Sequence, residues 1–158
     1  YGANASALVT CEDAQFLMFG NTRALLNPLT GALSGFGTFN SVVGAASPDD
    51  IAYGPQTGHF YVLADANVLQ VWSAADPPAY LDAQFGLIVR SKGLAVISPS
   101  FAQFLLNDPS ITEEHLLVVA KSRVESTTAP HNRLAVYSQT GSLKWEQDLF
   151  WTRDAFPA

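Results

Sequence analysis

The sequence is poor in the residues from which local chemical sites are built. A single cysteine, Cys11, excludes an internal disulfide and a zinc site made from several cysteines. The three histidines, at positions 59, 115 and 131, form no H-x-H, H-x-x-x-H or H-E-x-x-H motif, so the sequence encodes no local metal site. It also contains no P-loop, no dinucleotide-binding fingerprint and no serine-nucleophile elbow.

Carboxylates occur as three adjacent pairs, Glu12-Asp13, Asp49-Asp50 and Glu113-Glu114. Neighbouring carboxylates can bind calcium or take part in acid–base chemistry. Adjacent strand residues point to opposite faces, however, and two of these pairs follow Ser-Pro or Thr, which is typical of turns and caps. We therefore expect no catalytic residue, no cofactor-binding residue and no metal site.

Charge is also sparse. Only 14% of the residues are charged, against roughly a quarter in ordinary globular proteins. The eight basic residues are scattered and the net charge is −6, whereas a nucleic-acid surface needs clustered Lys and Arg. No apolar run approaches the about 18 residues of a membrane span. We expect neither a nucleic-acid partner nor a membrane span.

Hydrophobic residues, by contrast, are plentiful at 48% of 158 residues, which is enough for one domain with a sizeable core. The chain begins at Tyr1 and its one methionine is Met18, which indicates a processed form or a segment of a longer protein. Asn4 begins the N-x-S sequon Asn-Ala-Ser and is the glycosylation candidate. It fits a glycoprotein at an extracellular or cell-surface location, although the sequon leaves the cytoplasm open.

The apolar residues alternate with polar ones between Gly, Pro, Asn and Asp, which predicts strands and hairpins. The predicted strands are 7–11, 15–19, 23–27, 31–36, 50–53, 59–63, 68–73, 79–84, 87–90, 94–97, 115–121, 133–138 and 142–148.

One segment, 98–110, predicts a short helix instead. It offers Ser98 as a cap, a Pro in the first turn, Phe101, Phe104 and Leu105 at helical spacing, and an Asn-Asp-Pro end. Residues 122–132 are rich in Ser, Thr, Pro and Asn and predict a surface loop.

A Thr-Gly pair recurs in three short polar turns between apolar runs, with its glycine at Gly31, Gly58 and Gly141. A hairpin loop of three to five residues needs one residue with positive φ, which glycine adopts without strain. The surrounding segments also align, and they divide the chain into approximate units 7–39, 50–86 and 94–151. Their spacing is close to the roughly 40–50 residues of a propeller blade when the helix or the 122–132 loop is counted as an insertion.

The segment LAVYSQTGSLKW resembles the turn between the third and fourth strands of quinoprotein-type propeller repeats, A-x-D-x-x-T-G-x-x-x-W. Ala135, Thr140, Gly141 and Trp145 match this pattern, and Tyr137 stands in place of the Asp. LLNPLTGALSG resembles it less completely, and DIAYGPQTGHFYVLADANVLQVWS resembles the first three strands of NHL-like or six-bladed hydrolase-like blades.

The resemblance implies an all-β fold of antiparallel, propeller-like blades, a partial propeller of about three repeats. Propellers close with four to eight blades, so it also implies a larger protein or assembly that completes the sheet array. A two-sheet β-sandwich is the alternative fold. Trp72 and Trp145 are expected to pack between sheets, and Trp151 and Phe156, in an apolar tail, are interface candidates.

The leading functional hypothesis is a non-catalytic structural protein, a scaffold domain for protein–protein interaction whose partners are other protein chains or the remainder of a longer polypeptide. One alternative is a fragment of a propeller enzyme, either a quinoprotein-like dehydrogenase or a lactonase-like hydrolase. Another is a carbohydrate-binding β-sandwich, which would need an exposed row of aromatic residues on one face.

Overall fold

The computed structural model describes residues 7–11, 14–19, 22–38, 50–65, 68–73, 80–87, 91–121 and 132–149. Within them lie twelve strands and one helix: β1 (Ala7–Cys11), β2 (Ala14–Phe19), β3 (Thr22–Leu26), β4 (Leu33–Thr38), β5 (Asp50–Gly54), β6 (His59–Asp65), β7 (Val68–Ser73), β8 (Tyr80–Gly86), β9 (Ser91–Ile97), α1 (Pro99–Leu106), β10 (His115–Lys121), β11 (Asn132–Ser138) and β12 (Leu143–Leu149). The predicted all-β class with antiparallel sheets is confirmed.

The strands form three four-stranded sheets, each built from consecutive strands in chain order. Sheet 1 contains β1 to β4, sheet 2 contains β5 to β8, and sheet 3 contains β9 to β12. All neighbouring strands pair antiparallel. Sheets 1 and 2 lie in one compact unit, Tyr1–Gly86, and sheet 3 lies in a second, Leu87–Ala158.

Several predicted boundaries differ from the observed ones. The predicted strand 31–36 begins at Leu33 instead, because Asn27 holds a longer turn: its side chain accepts from the backbone N–H groups of Leu29 and Thr30 at 2.9 and 3.2 Å. In the predicted strand 87–90, Leu87 lies outside any strand, and residues 88–90 fall outside the described chain. Asn132, predicted in a loop, pairs with Lys121 in the sheet, and the rest of that loop is not described.

In the first unit, sheets 1 and 2 pack through one aromatic cluster. The Phe16 ring of sheet 1 meets the Phe60 ring of sheet 2 edge-on, with centroids 6.2 Å apart. The Arg23 guanidinium lies over both rings, 4.7 and 5.8 Å from their centroids. The buried members from sheet 2 alternate along its strands and share one face: Ile51, Tyr53, Phe60, Val62 and Trp72. β1 and β5, the first strands of the two sheets, also lie within 8 Å of each other by Cα–Cα distance.

The opposite face of sheet 2 is buried as well. Its buried residues are Ala52, Tyr61, Leu63, Leu69 and Val71. Sheet 2 therefore keeps apolar side chains away from water on both faces.

Sheet 1 differs, because its second face is partly exposed. The strand register places Leu8, Leu17 and Ala24 in one row across β1, β2 and β3, with Leu26 and Leu33 beside them. Leu8 is 59% exposed and Leu33 is 37% exposed, whereas Ala24 is buried. We call these five residues the outer face of sheet 1.

In the second unit, α1 packs on one face of sheet 3. The predicted helix is confirmed: the Ser98 hydroxyl accepts from Phe101 N–H, Pro99 is in the first turn, and Asn107 ends the helix in the left-handed conformation. Leu105 packs toward the buried residues Ile97, Ala102 and Val136. Phe101 and Phe104, the other two residues named at helical spacing, face outward and are 47% and 79% exposed.

The second face of sheet 3 is also apolar near its centre, where Leu116, Val118, Ala135 and Tyr137 are buried. Arg133 closes the end of that face through contacts to Asp148 at 2.7 Å and Glu146 at 3.0 Å. In the part of the chain that the structure describes, no helix has the length and apolar character of a membrane span.

Candidate functional site

A cleft of about 650 Å³ lies at one end of sheet 3, in the second unit. Here β10 begins, β11 ends and the β11–β12 hairpin turns back. The lining residues come from the end of α1, the loop after it, and the hairpin: Leu106, Asp108, Ser110, Ile111, Thr112, Glu113, His115, Ser138, Thr140, Ser142, Lys144 and Trp145. We call this feature the hairpin cleft.

One wall of the cleft is the loop between α1 and β10. The Asp108 carboxylate accepts hydrogen bonds from the Ser110 backbone N–H at 2.9 Å and the Ser110 hydroxyl at 2.6 Å. The Gln103 side chain, on α1, donates to the Ile111 carbonyl at 2.6 Å and ties the loop to the helix. The hydrogen bonds from Ser110, helped by the nearby Lys144 ammonium, hold the pKa of Asp108 below its usual value.

The opposite wall is the β11–β12 hairpin, which is also closed by its own side chains. The Ser138 hydroxyl accepts from the Ser142 backbone N–H at 3.0 Å and lies 2.9 Å from the Thr140 hydroxyl. Gly141, with φ of 85°, donates its backbone N–H to the Ser138 carbonyl at 3.0 Å. These local bonds fix the positions from which Thr140 and Ser142 face the cleft.

His115 lies where the two walls meet and is only 5% exposed. Its Nδ1 lies 3.0 Å from the Glu113 backbone carbonyl, which can only accept, so Nδ1 carries the hydrogen. In the neutral ring Nε2 is then a hydrogen-bond acceptor.

The apolar part of the cleft is continuous with the packing of α1 on sheet 3. Leu106, Ile111 and Trp145 are half-buried and pack against the buried cluster of that interface. Trp145 thus packs between helix and sheet and also presents part of its indole to the cleft. The cleft therefore combines an apolar surface with hydroxyl, imidazole, carboxylate and ammonium groups.

The other predicted structural residues lie in the first unit. Gly31 and Gly58 have φ of 71° and 67° at the ends of their turns. Trp72 is 3% exposed in the sheet 2 cluster, and its ring lies 5.5 Å from that of Tyr80. Asn4, Trp151 and Phe156 lie outside the described residues.

The sequence predicts no catalytic residue, cofactor-binding residue or metal site, and its patterns did not single out the cleft. Among the described residues, no group of three or more His, Cys, Asp and Glu side chains is placed to hold a metal ion. The sequence does contain two turn segments rich in hydroxyls, 107–112 and 138–142, and these could have drawn attention to the cleft.

Comparison with known proteins finds chains of similar fold among solved structures. No family model and no curated protein matches the chain. A crystal structure of an auxiliary nutrient binding protein from Bacteroides ovatus ATCC 8483 is similar in fold, with a TM-score of 0.54 and 10% sequence identity. The match covers 88% of this chain but only 35% of that chain, so this chain spans about a third of its neighbour's length. The two share an all-β architecture.

Proposed function

We propose that this chain is a non-catalytic structural and interaction module, three successive blades of an incomplete β-propeller within a larger assembly. The outer face of sheet 1 is the interaction surface, and its occupant is a further four-stranded sheet of the polypeptide to which the chain belongs. The observation that carries the proposal is the contrast between sheet 2, which is buried on both faces, and sheet 1, whose Leu8 and Leu33 remain exposed.

The strand order supports blades over a β-sandwich. Each sheet contains four consecutive antiparallel strands, which is the composition of a propeller blade. Sandwiches of the Greek-key type exchange strands between their sheets, and no described strand of this chain does so. The close approach of β1 and β5 also agrees with blades, whose first strands gather around a common axis.

The neighbour supports a larger assembly and a binding role. This chain spans 35% of that chain, which leaves room there for further sheets. The neighbour is described as a nutrient binding protein, which agrees with binding in preference to catalysis. An extracellular or cell-surface location stays part of the proposal.

The proposal is tested by substituting charged residues on the outer face of sheet 1 in the natural polypeptide. Leu8→Glu combined with Leu33→Glu should lower the melting temperature and expose dye-binding apolar surface, because a carboxylate buried between two sheets has no partner. The matched control is Leu29→Glu, at a turn residue that is 94% exposed and off the sheet. It should leave both readouts unchanged. If the double variant behaves like the control, the outer face contacts no other sheet and the proposal is wrong.

A further inference from the structure

We propose that the hairpin cleft binds a small neutral saccharide. This inference is separate from the propeller proposal, because the cleft is built wholly from the second unit. It rests on the cleft's size, on the kinds of hydrogen-bonding groups that line it, and on the indole at its base.

The size fits a small ligand. A cleft of about 650 Å³ lies within the roughly 300–1,000 Å³ of small-molecule sites. It opens at the end of sheet 3, where the loop after α1 and the β11–β12 hairpin form opposing walls. A ligand there would contact a loop, a strand end and a hairpin at once.

The polar groups that line the cleft favour a ligand that both donates and accepts hydrogen bonds. The carboxylates of Asp108 and Glu113 only accept, and the Lys144 ammonium only donates. The His115 imidazole, which can donate or accept, lines the cleft from a nearly buried position. Each sugar hydroxyl can do both, so a polyhydroxylated ligand can satisfy all of these groups.

Charge disfavours an anion in the same place. Two carboxylates, those of Asp108 and Glu113, line the cleft against one ammonium, that of Lys144. The low pKa of Asp108 keeps its carboxylate ionised at neutral pH. An anionic ligand would therefore meet net repulsion, whereas a neutral one would not.

The apolar surface gives such a ligand a face to lie on. The C–H face of a sugar ring is apolar and packs on aromatic rings, and Trp145 presents part of its indole to the cleft between Leu106 and Ile111. The ring is held by its packing between α1 and sheet 3, so little side-chain entropy is lost when a ligand binds.

The two walls of the cleft are also held in position by hydrogen bonds within the chain, without a ligand. Ser110 is bonded to Asp108 on one wall, and Ser138 is bonded to Thr140 and Ser142 on the other. Gln103 holds the first wall to the helix. Groups fixed in this way bind with a smaller ordering cost than groups on free loops.

The experiment follows backbone and indole N–H signals of the isotopically labelled chain by NMR during titration with cellobiose, maltose and, separately, inorganic phosphate. We expect saturable shifts with at least one disaccharide, confined to the Trp145 indole and to residues 108–113 and 138–145. Phosphate should cause none. Phosphate shifts without sugar shifts, or no saturable shift with either sugar, would overturn the proposal.

Three variants and a control assign the site. Trp145→Ala should weaken disaccharide binding by about tenfold, equivalent to about 1.4 kcal/mol. His115→Gln should weaken it less, since a glutamine side chain can still offer an acceptor.

Thr140→Val removes one lining hydroxyl, and Thr30→Val removes the corresponding hydroxyl of the β3–β4 turn, outside the cleft. Thr140→Val should weaken binding and Thr30→Val should not. Equal affinity in all four variants would contradict the assignment, and unchanged spectra elsewhere in the chain would establish that each variant folds.

Discussion

Sheets 1 and 2 have the same four-stranded order but different surroundings. Sheet 2 buries apolar side chains on both faces, including Phe60 and Val62 on one and Tyr61 and Leu63 on the other. Sheet 1 buries one face against sheet 2 and leaves Leu8 and Leu33 of its outer face exposed. This unequal burial of two sheets with equal topology is the basis for our proposal that a further sheet covers the outer face of sheet 1.

The contact between sheets 1 and 2 contains a buried cation. Arg23 is only 3% exposed, yet its guanidinium lies over Phe16 and Phe60, whose ring faces favour a positive charge. Apolar packing between the sheets is therefore combined with a specific cation–π contact. The outer face of sheet 1 carries apolar side chains at Leu8, Leu17 and Leu33, with Gln15 beside Leu26 on the same face, so most of it suits an apolar sheet face.

The largest expected effect is the loss of core packing in sheet 2. Phe60→Ala should reduce the free energy of unfolding by about 3–5 kcal/mol, because it removes a ring that contacts Phe16, Tyr53 and Arg23. Leu8→Ala, on the outer face of sheet 1, should change it by about 0.5 kcal/mol or less in the isolated chain. Chemical denaturation measures both. Similar losses would show that the two positions are equally packed.

A smaller effect tests whether the turns of the two sheets are equivalent. Gly58 and Gly31 both have positive φ, and a Cβ added at either would meet no atom within 4 Å. Gly58→Ala and Gly31→Ala should each cost about 1–2 kcal/mol, from the left-handed backbone alone. Thermal unfolding of the two variants compares them. A much larger loss at Gly58 than at Gly31 would mean that burial of the sheet, and not backbone strain, sets the cost.

The smallest effect lies outside both sheets, at Asp108. Its pKa is lowered in the folded chain, so its contribution to stability is present above the unfolded pKa and lost as the pH falls through the folded pKa. Asp108→Asn should flatten this part of the acid-side decline in unfolding free energy. Denaturation of both proteins between neutral and acidic pH provides the comparison. An unchanged acid-side slope in the variant would remove the role of the Ser110 hydrogen bonds.

Most strands and the ends of the helix could be predicted from the sequence, because they depend on residues that lie close together in the chain. The period-two pattern predicted most strands, and Ser98 and the Asn-Asp-Pro end bounded the helix. The exposure of Phe101 and Phe104 could not be read in this way, since helical spacing shows that apolar residues neighbour each other but not which of them meet the sheet.

The two surfaces that we propose to bind other groups depend on distant contacts. Alternation in β2 and β3 separates two faces of sheet 1, but it does not show which face is covered. The hairpin cleft needs β10 and β11 in register, with His115 opposite Ser138, before residues 108–113 and 138–145 lie close together. The sequence contains both turns, yet their proximity is a property of the folded sheet.

Hydroxyl-radical footprinting with mass spectrometry tests the central claim most directly, since it reads side-chain exposure without any substitution. The 158-residue chain and the natural polypeptide would be oxidised side by side, with Phe104 as the exposed reference and Phe60 as the buried one. We predict that Leu8 and Leu33 are oxidised readily in the 158-residue chain and are protected in the natural polypeptide, while Phe104 stays reactive and Phe60 stays protected in both. Equal oxidation of Leu8 and Leu33 in the two samples would contradict the account, because the outer face of sheet 1 would then have no occupant.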